Sequence, residues 1–260
     1  MNKLSLTQKI TFAAILLAFG IVSTMVFKMV PMGNFSFLRF SLTPSIVIFS
    51  SLWLGPFFGA VVGVFSDLLP AFLLSQGAYN PFLSVAYALL GILPYFVFHL
   101  SQRASKLFNN VYCVSFFFLI LFVLLLLAFY CNSSLDSAFG SNGVWLKPLI
   151  LAIIFISDVG LIFLLSLLEK KRWRNPIASS EEKNVMSLGV TCAISELVTM
   201  TIGKSLAFFL FFLINGGGSS PFSYWYLFSM LVIGTAPSTF LDVYFCSWML
   251  LFAKRFLSKK

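Results

Sequence analysis

Residues 54–67 read Leu-Gly-Pro-Phe-Phe-Gly-Ala-Val-Val-Gly-Val-Phe-Ser-Asp, and this stretch decides how the chain is folded. The Gly55-Pro56 pair is a turn signal between two apolar runs. Gly55, Gly59 and Gly63 recur at a spacing of one helical turn, which places residues without side chains on one helix face. The pattern predicts a turn at Gly55-Pro56, followed by a helix that packs closely against a neighbour and carries an acid, Asp67, in its apolar run.

The composition predicts an integral membrane protein. Of 260 residues, 60% are hydrophobic and 10% are charged, whereas soluble domains carry about 25% charged residues. A soluble fold of this size could not hide so much apolar surface. Runs such as Val114–Tyr130 and Leu149–Leu168 lack the alternation of barrel strands and are too long for them. The predicted fold class is therefore an all-α helical bundle forming a single membrane domain over residues 1–260.

The apolar runs are divided into about eight spans, since a helix needs about 20 residues to cross the hydrocarbon core. The predicted spans are Lys9–Met29, Pro44–Leu54, Pro56–Leu74, Pro81–Leu100, Val111–Cys131, Leu146–Leu168, Val185–Ile214 and Tyr224–Leu251. The second span is short, and one long helix over Pro44–Leu74 is the alternative. The break at Gly55-Pro56 favours two helices.

The basic residues test this layout and give it an orientation. The net charge is +9, and most of the bases fall in clusters near both chain ends, after the fourth span and in the loop Glu169–Asn184. With eight spans all of these clusters lie on one side, and the positive-inside rule makes that side cytoplasmic. Both termini are therefore predicted to be cytoplasmic. The bases are explained as topology signals, so no nucleic-acid partner is expected.

Charged residues inside the spans are candidates for function, because each costs about 2.5–3.5 kcal/mol to insert into a bilayer. These residues are Asp67, Asp158, Glu196, Lys204 and Asp242. Glu196 and Lys204 are about two turns apart and do not meet directly, so each needs a partner on another span. Structural ion pairs and ligand or pathway roles both remain open for this group.

The loops predicted on the outer side are rich in aromatic and polar residues. Aromatic residues at this depth are commonly interface anchors, but together with an arginine and amides they also suit a pocket for a flat ligand. Arg39 would suit a carboxylate. The candidate substrate-binding residues are Phe37, Arg39, Asp67, Tyr79, Asn80, Glu196, Tyr224 and Trp225.

Nothing in the sequence indicates an enzyme or a metal site. The single histidine, His99, sits at the end of a span, and the four cysteines are scattered without a CxxC pair. No glycine loop followed by Lys-Ser/Thr is present, so the chain itself is not expected to hydrolyse ATP. We expect no metal and no cofactor. Ala14 and Ala18 place two small residues on one face of the first span, a pattern that allows close helix contact.

Residues 10–100 resemble the substrate-binding S component of energy-coupling-factor transporters, in particular its folate-type branch. The resemblance is carried by Phe37-Leu-Arg39-Phe-Ser, the stretch Leu54–Leu69, Gly77-Ala-Tyr79-Asn-Pro81-Phe and Ala88-Leu-Leu-Gly91. The Ala14/Ala18 pair looks like the family's contact motif for its transmembrane coupling subunit. The family normally has six spans, so residues 111–168 look like an inserted helical pair and residues 185–251 like its C-terminal pair.

The resemblance implies a multi-pass subunit in the cell membrane of a prokaryote. It would capture a vitamin, folate-like by this branch, at the outer face. A transmembrane coupling subunit and two cytoplasmic ATPases would supply the energy for uptake. The alternative is a stand-alone secondary transporter driven by ions through its intramembrane acids. A membrane enzyme is disfavoured, because the acids are dispersed and the one histidine lies at a span end.

Overall fold

The computed structural model describes residues 4–28, 42–73, 79–103 and 179–215, with separate residues between 152 and 163 and between 224 and 249. The described residues outside loops and turns are helical. The helices are α1 (Leu6–Lys28), α2 (Thr43–Leu54), α3 (Pro56–Leu73), α4 (Pro81–Arg103), α5 (Ser179–Glu196) and α6 (Lys204–Asn215), with a π-helix over Leu197–Gly203 joining α5 to α6. The all-α fold class is confirmed for this part of the chain.

Four helical stretches within the described residues are long and apolar enough to cross a membrane, as judged by length and composition. They are Leu6–Met25, Pro56–Leu73, Pro81–Arg103 and Ser187–Asn215. The predicted span Val111–Cys131 lies outside the described residues, and only scattered helical residues are described in Leu146–Leu168 and Tyr224–Leu251, apart from the continuous run 242–246. The number of eight spans and the cytoplasmic position of both termini stay predictions.

The predicted break at Gly55-Pro56 is confirmed. Gly55 has φ +104°, a backbone conformation that only glycine adopts readily, and its N–H bonds to the Ser51 carbonyl at 3.1 Å to close α2. Pro56 then begins α3, where its fixed φ suits the first helical position and its missing N–H costs nothing. A single helix from Pro44 to Leu74 is thereby excluded.

Helix α2 lies at the centre of the bundle. Every residue from Thr43 to Leu54 except Trp53 is buried, and α1, α3 and α4 pack around it. Twelve residues span only about 18 Å, less than the hydrocarbon core of about 30 Å. Its start is tied to the end of α1 by the Thr24 and Thr43 hydroxyls, 3.0 Å apart, and by the Leu42 N–H, which donates to Ser23 Oγ at 3.1 Å.

Gly55, Gly59 and Gly63 do not all serve the same purpose: two of them allow a close helix contact and one forms a turn. A Cβ at Gly59 would lie 2.8 Å from the Ser51 Cα, and still nearer the Gly91 carbonyl oxygen of α4. A Cβ at Gly63 would overlap the Tyr87 carbonyl. These two positions let α3 and α4 touch backbone to backbone, as predicted, whereas a Cβ at Gly55 would meet nothing within 4 Å. Gly55 therefore serves the turn and not the helix contact.

The close pairs also give the helix directions. Gly59 lies against Gly91 and Gly63 against Tyr87, so α3 and α4 are antiparallel. The chain from the π-helix into α6 also runs antiparallel to α4, because Gly203 lies near Ala86 and the Ala207 carbonyl accepts from Asn80. One end of the bundle therefore holds the end of α3, the start of α4 and the C-terminal part of α6. We call it the Tyr79 end, after the residue that precedes α4.

Candidate functional site

A chain of hydrogen bonds joins three side chains at the Tyr79 end. Ser84, in the first turn of α4, donates from Oγ to Asp67 Oδ2 at 2.6 Å. The Tyr79 hydroxyl lies 2.7 Å from the same Ser84 Oγ. Because Ser84 spends its only proton on the carboxylate, Tyr79 must be the donor in the second bond. Ser84 thereby orients the acid on α3, and Tyr79, from the loop that precedes α4, orients Ser84.

Lys204 is the basic residue of this site. It is the first residue of α6, is half-buried, and acts electrostatically on the Asp67 carboxylate. The sequence marked both residues as charges inside predicted spans, and the structure brings Lys204 near enough to act on the Asp67 carboxylate. Asp67, Tyr79, Ser84 and Lys204 are referred to below as the Asp67 cluster.

Aromatic rings lie at this end of the bundle. Phe72, in the last turn of α3, stacks on Tyr79 with ring centroids 5.7 Å apart and planes inclined by 29°. Tyr224 is half-buried and packs edge-on against Phe209 of α6, with centroids 6.2 Å apart. Flat rings beside a few directional polar groups are what a pocket for a flat ligand requires.

Asn80 has a local structural task. Its Oδ1 accepts the Phe82 N–H at 3.1 Å, which caps the start of α4, and its Nδ2 donates to the Ala207 carbonyl at 3.2 Å, which ties α4 to α6. The side chain is buried. These bonds engage both ends of the amide, and its predicted contact with a substrate stays a prediction.

Glu196 belongs to a different site. It is the last residue of α5, is only 1% exposed, and is a side-chain hydrogen-bond partner of Asp242, itself 1% exposed. Ser45 of α2 donates to Asp242 Oδ1. Cys246 donates from its thiol to the Ser45 carbonyl at 3.3 Å, and Cys192, which is also a free and buried thiol, belongs to the same group. This buried group, the Glu196 cluster, ties α5 to α2 and to the helical stretch around Asp242.

The structure thus separates residues that the sequence had grouped together. Asp67 and Tyr79 share one cluster, whereas Glu196 joins another with Asp242. Phe37, Arg39 and Trp225 lie outside the described residues, so their predicted roles stay predictions. Sequence reasoning missed Ser84, because a lone serine in an apolar helix carries no signal. It noticed Lys204 and Asp242 by their charge and assigned neither a role.

Comparison with known families decides the class of the protein. A family model described as the ECF-type riboflavin transporter, S component, matches residues 4–169, which is more than half of the chain. The chain belongs to this family. Neither a curated protein nor a solved structure was found to match it. S components are transporter subunits and not enzymes, and they are multi-pass proteins of the prokaryotic plasma membrane.

The family match confirms one expectation from the sequence and leaves two others as predictions. The S-component resemblance is confirmed, whereas the family that matches is described by riboflavin and not by folate, so the folate-type branch stays a prediction. The match includes residues 111–168 and ends before residues 185–251. The interpretation of residues 111–168 as an inserted helical pair also stays a prediction.

Proposed function

We propose that this S component captures a flat heteroaromatic vitamin at the Tyr79 end and delivers it to partner subunits that hydrolyse ATP. The Asp67 cluster is the observation that carries the proposal, because it places an oriented carboxylate, an ammonium group and stacked aromatic rings at one end of the bundle. The distribution of basic residues supports an outward-facing Tyr79 end. An outer site is where a subunit for uptake must meet its ligand.

Charge balance at the site favours riboflavin over folate as the ligand. Among the described residues of the Asp67 cluster, one carboxylate is set against one ammonium group. A neutral ligand leaves this balance intact, whereas the two carboxylates of folate would need further cations. Arg39, in a loop predicted on the outer side, is the candidate that the sequence offers for such a cation. Riboflavin is also the vitamin by which the family is described.

The purified protein is expected to bind riboflavin, and the flavin should lose fluorescence as it stacks on aromatic rings. The measurement is a fluorescence titration in detergent, with folate and thiamine tested in parallel by competition. Arg39→Ala is expected to leave riboflavin binding within about twofold. If folate is the ligand, the same variant should weaken binding at least about tenfold, since a charge-assisted hydrogen bond is lost. No binding of any vitamin would contradict the proposal.

Uptake into proteoliposomes distinguishes a subunit that needs ATPase partners from a stand-alone carrier. Proteoliposomes that contain this chain alone are expected to accumulate no vitamin. Uptake should appear when the coupling subunit and two ATPases are reconstituted with it and ATP is supplied. Uptake by the chain alone, abolished by an uncoupler, would establish the ion-coupled carrier instead.

The exposed small residues of α1 are proposed to contact the transmembrane coupling subunit. Ala14 and Ala18 are one turn apart and both are exposed on the bundle surface. Small residues permit close approach of another helix. A tryptophan here would hold that helix away without disturbing the interior of this chain.

Ala14→Trp and Ala18→Trp are expected to leave vitamin binding within about twofold while lowering ATP-driven uptake at least about tenfold. Val85→Trp is the matched control, because Val85 is an exposed apolar residue of α4. Co-purification with the coupling subunit, measured beside uptake, checks that the loss is one of contact. Normal uptake by both alanine variants would exclude this face of α1 as the docking surface.

A further inference from the structure

The Glu196 cluster places two acids in the interior of the bundle. Glu196 and Asp242 are each 1% exposed, and Ser45, which bonds to Asp242, is fully buried. The acids belong to the predicted spans Val185–Ile214 and Tyr224–Leu251. A buried carboxylate that lacks a cation and enough hydrogen-bond donors takes up a proton instead of staying charged. The groups that touch the two acids therefore decide whether both are ionised.

The acids and the two buried cysteines of the cluster follow the same spacing on two helices. Cys192 and Glu196 are four residues apart on α5, and Asp242 and Cys246 are four residues apart in the helical run 242–246. Residues four apart share one face of a helix. All four side chains are 0–1% exposed. Each helix thus turns one acid and one thiol towards the interior.

The donors that contact this group leave one oxygen of Asp242 without a partner. Ser45 gives its only hydroxyl proton to Asp242 Oδ1. Cys246 gives its thiol proton to the Ser45 carbonyl at 3.3 Å, so it has none left for the acid. Asp242 Oδ2 is buried and has no hydrogen-bond donor within the described part of the chain. This oxygen is satisfied if it carries a proton that it can donate.

The titratable groups that face Asp242 supply no positive charge. They are Glu196 and Cys192 of α5 and Cys246 of its own helix. Helix α2, over Thr43–Leu54, contains no titratable residue. Glu196 is a hydrogen-bond partner of Asp242, and a hydrogen bond between two carboxyl groups needs one proton. The same proton therefore satisfies the unpartnered oxygen and removes one of the two negative charges.

We propose that Glu196 and Asp242 hold a single proton between them, and that this proton keeps α2, α5 and the helical run 242–246 packed together. One carboxyl group donates the proton to the other. When the proton is lost to solvent, two carboxylates remain side by side, and their repulsion destabilises the contact between α5 and the run 242–246. The site is separate from the Asp67 cluster, so the inference does not depend on which vitamin the subunit captures.

Infrared spectroscopy of the purified protein tests for the proton directly. A protonated carboxyl group absorbs as a carbonyl, apart from the amide and carboxylate bands, and its band shifts in D2O. The wild type is expected to show this band at neutral pH, and Asp242→Asn and Glu196→Gln should each lose it. Asp67→Asn is the matched control, because it removes another acid of a predicted span and should keep the band.

The stability of the bundle should depend on pH through the same proton. The unfolded chain ionises its acids near about pH 4, whereas the folded chain keeps the shared proton to higher pH. The folded state then binds more protons, so stability falls as the pH rises. Between about pH 6 and about pH 8, the folded-to-unfolded ratio of the wild type is expected to fall by up to about tenfold per pH unit relative to Asp242→Asn. Denaturation in mixed detergents measures the ratio.

Three outcomes would overturn the inference and leave the proposed function in place. The first is a wild-type spectrum without the carboxyl band, since both acids would then be ionised and held by a cation or by water. The second is a band that persists in both Asp242→Asn and Glu196→Gln, since the proton would then lie elsewhere. The third is an equal pH dependence of stability in the wild type and Asp242→Asn. If one variant does not fold, the other and the wild-type spectrum still decide the result.

Discussion

Gly59→Ala is expected to destabilise the protein by about 3 kcal/mol, at the upper end of the cost of overpacking a core. The added methyl group would overlap the Gly91 carbonyl oxygen and lie 2.8 Å from the Ser51 Cα. Both neighbours are backbone, so no side chain can rotate out of the way. The helices α3 and α4 would have to separate along their length, and α2, packed beside them, would lose contact as well.

Thermal melting in detergent measures this effect, and a fall of about 10 °C is expected for a chain of this size. Gly20→Ala on α1 is the matched control. A Cβ at Gly20 would meet Ser66 and Thr43 atoms at 3.6–4.0 Å, which is ordinary contact. Alanine is also the better helix former by about 1 kcal/mol, so this variant should melt at or above the wild-type temperature. Equal melting of the two variants would show that α3 and α4 are farther apart than described.

Asp242→Leu is expected to have a comparable effect from within the Glu196 cluster. A hydrogen bond between two carboxyl groups requires that one of them carry a proton. Asp242 accepts from Ser45 through Oδ1, and among the described residues its buried Oδ2 has no partner unless it shares such a proton with Glu196; both acids are 1% exposed. Leucine would take away both interactions in the bundle interior. Each buried polar group that loses its hydrogen-bond partner costs about 1–3 kcal/mol, so the two lost interactions together should cost about 3 kcal/mol.

Asp242→Asn removes the ionisable group and keeps a side chain that can make both hydrogen bonds, so it tests the hydrogen bonds apart from the charge. The amide oxygen can accept from Ser45, and the amide N–H can donate to the Glu196 carboxylate without a shared proton. This variant is expected to stay within about 1 kcal/mol of the wild type. Melting of the leucine and asparagine variants side by side provides the measurement. A leucine variant as stable as the asparagine variant would show that the Glu196 cluster contributes nothing to holding the helices together.

The difference between the two clusters shows where prediction from sequence stopped. The sequence identified Asp67, Glu196, Lys204 and Asp242 by a local rule, because each places a charge in an apolar run. The sequence could not show which of these residues are partners, because the partners are far apart along the chain. Every one of the four residues fits the rule of a charge in an apolar run equally well. No local pattern records how the helices pack, so the sequence listed Glu196 with Asp67 among the candidate substrate-binding residues, whereas the fold brings Glu196 to Asp242.

What the sequence alone determined is the membrane class, the helix boundaries near Gly55-Pro56 and the family resemblance. These depend on hydrophobicity, on one proline and on glycine spacing, all of which act over a few residues. Tertiary structure decided that Gly59 and Gly63 meet the backbone of α4, that Ser84 orients Asp67, and that Lys204 and Glu196 serve different sites. Such pairings depend on how whole helices pack, because a polar group at membrane depth is stabilised only by the partner that the fold brings to it.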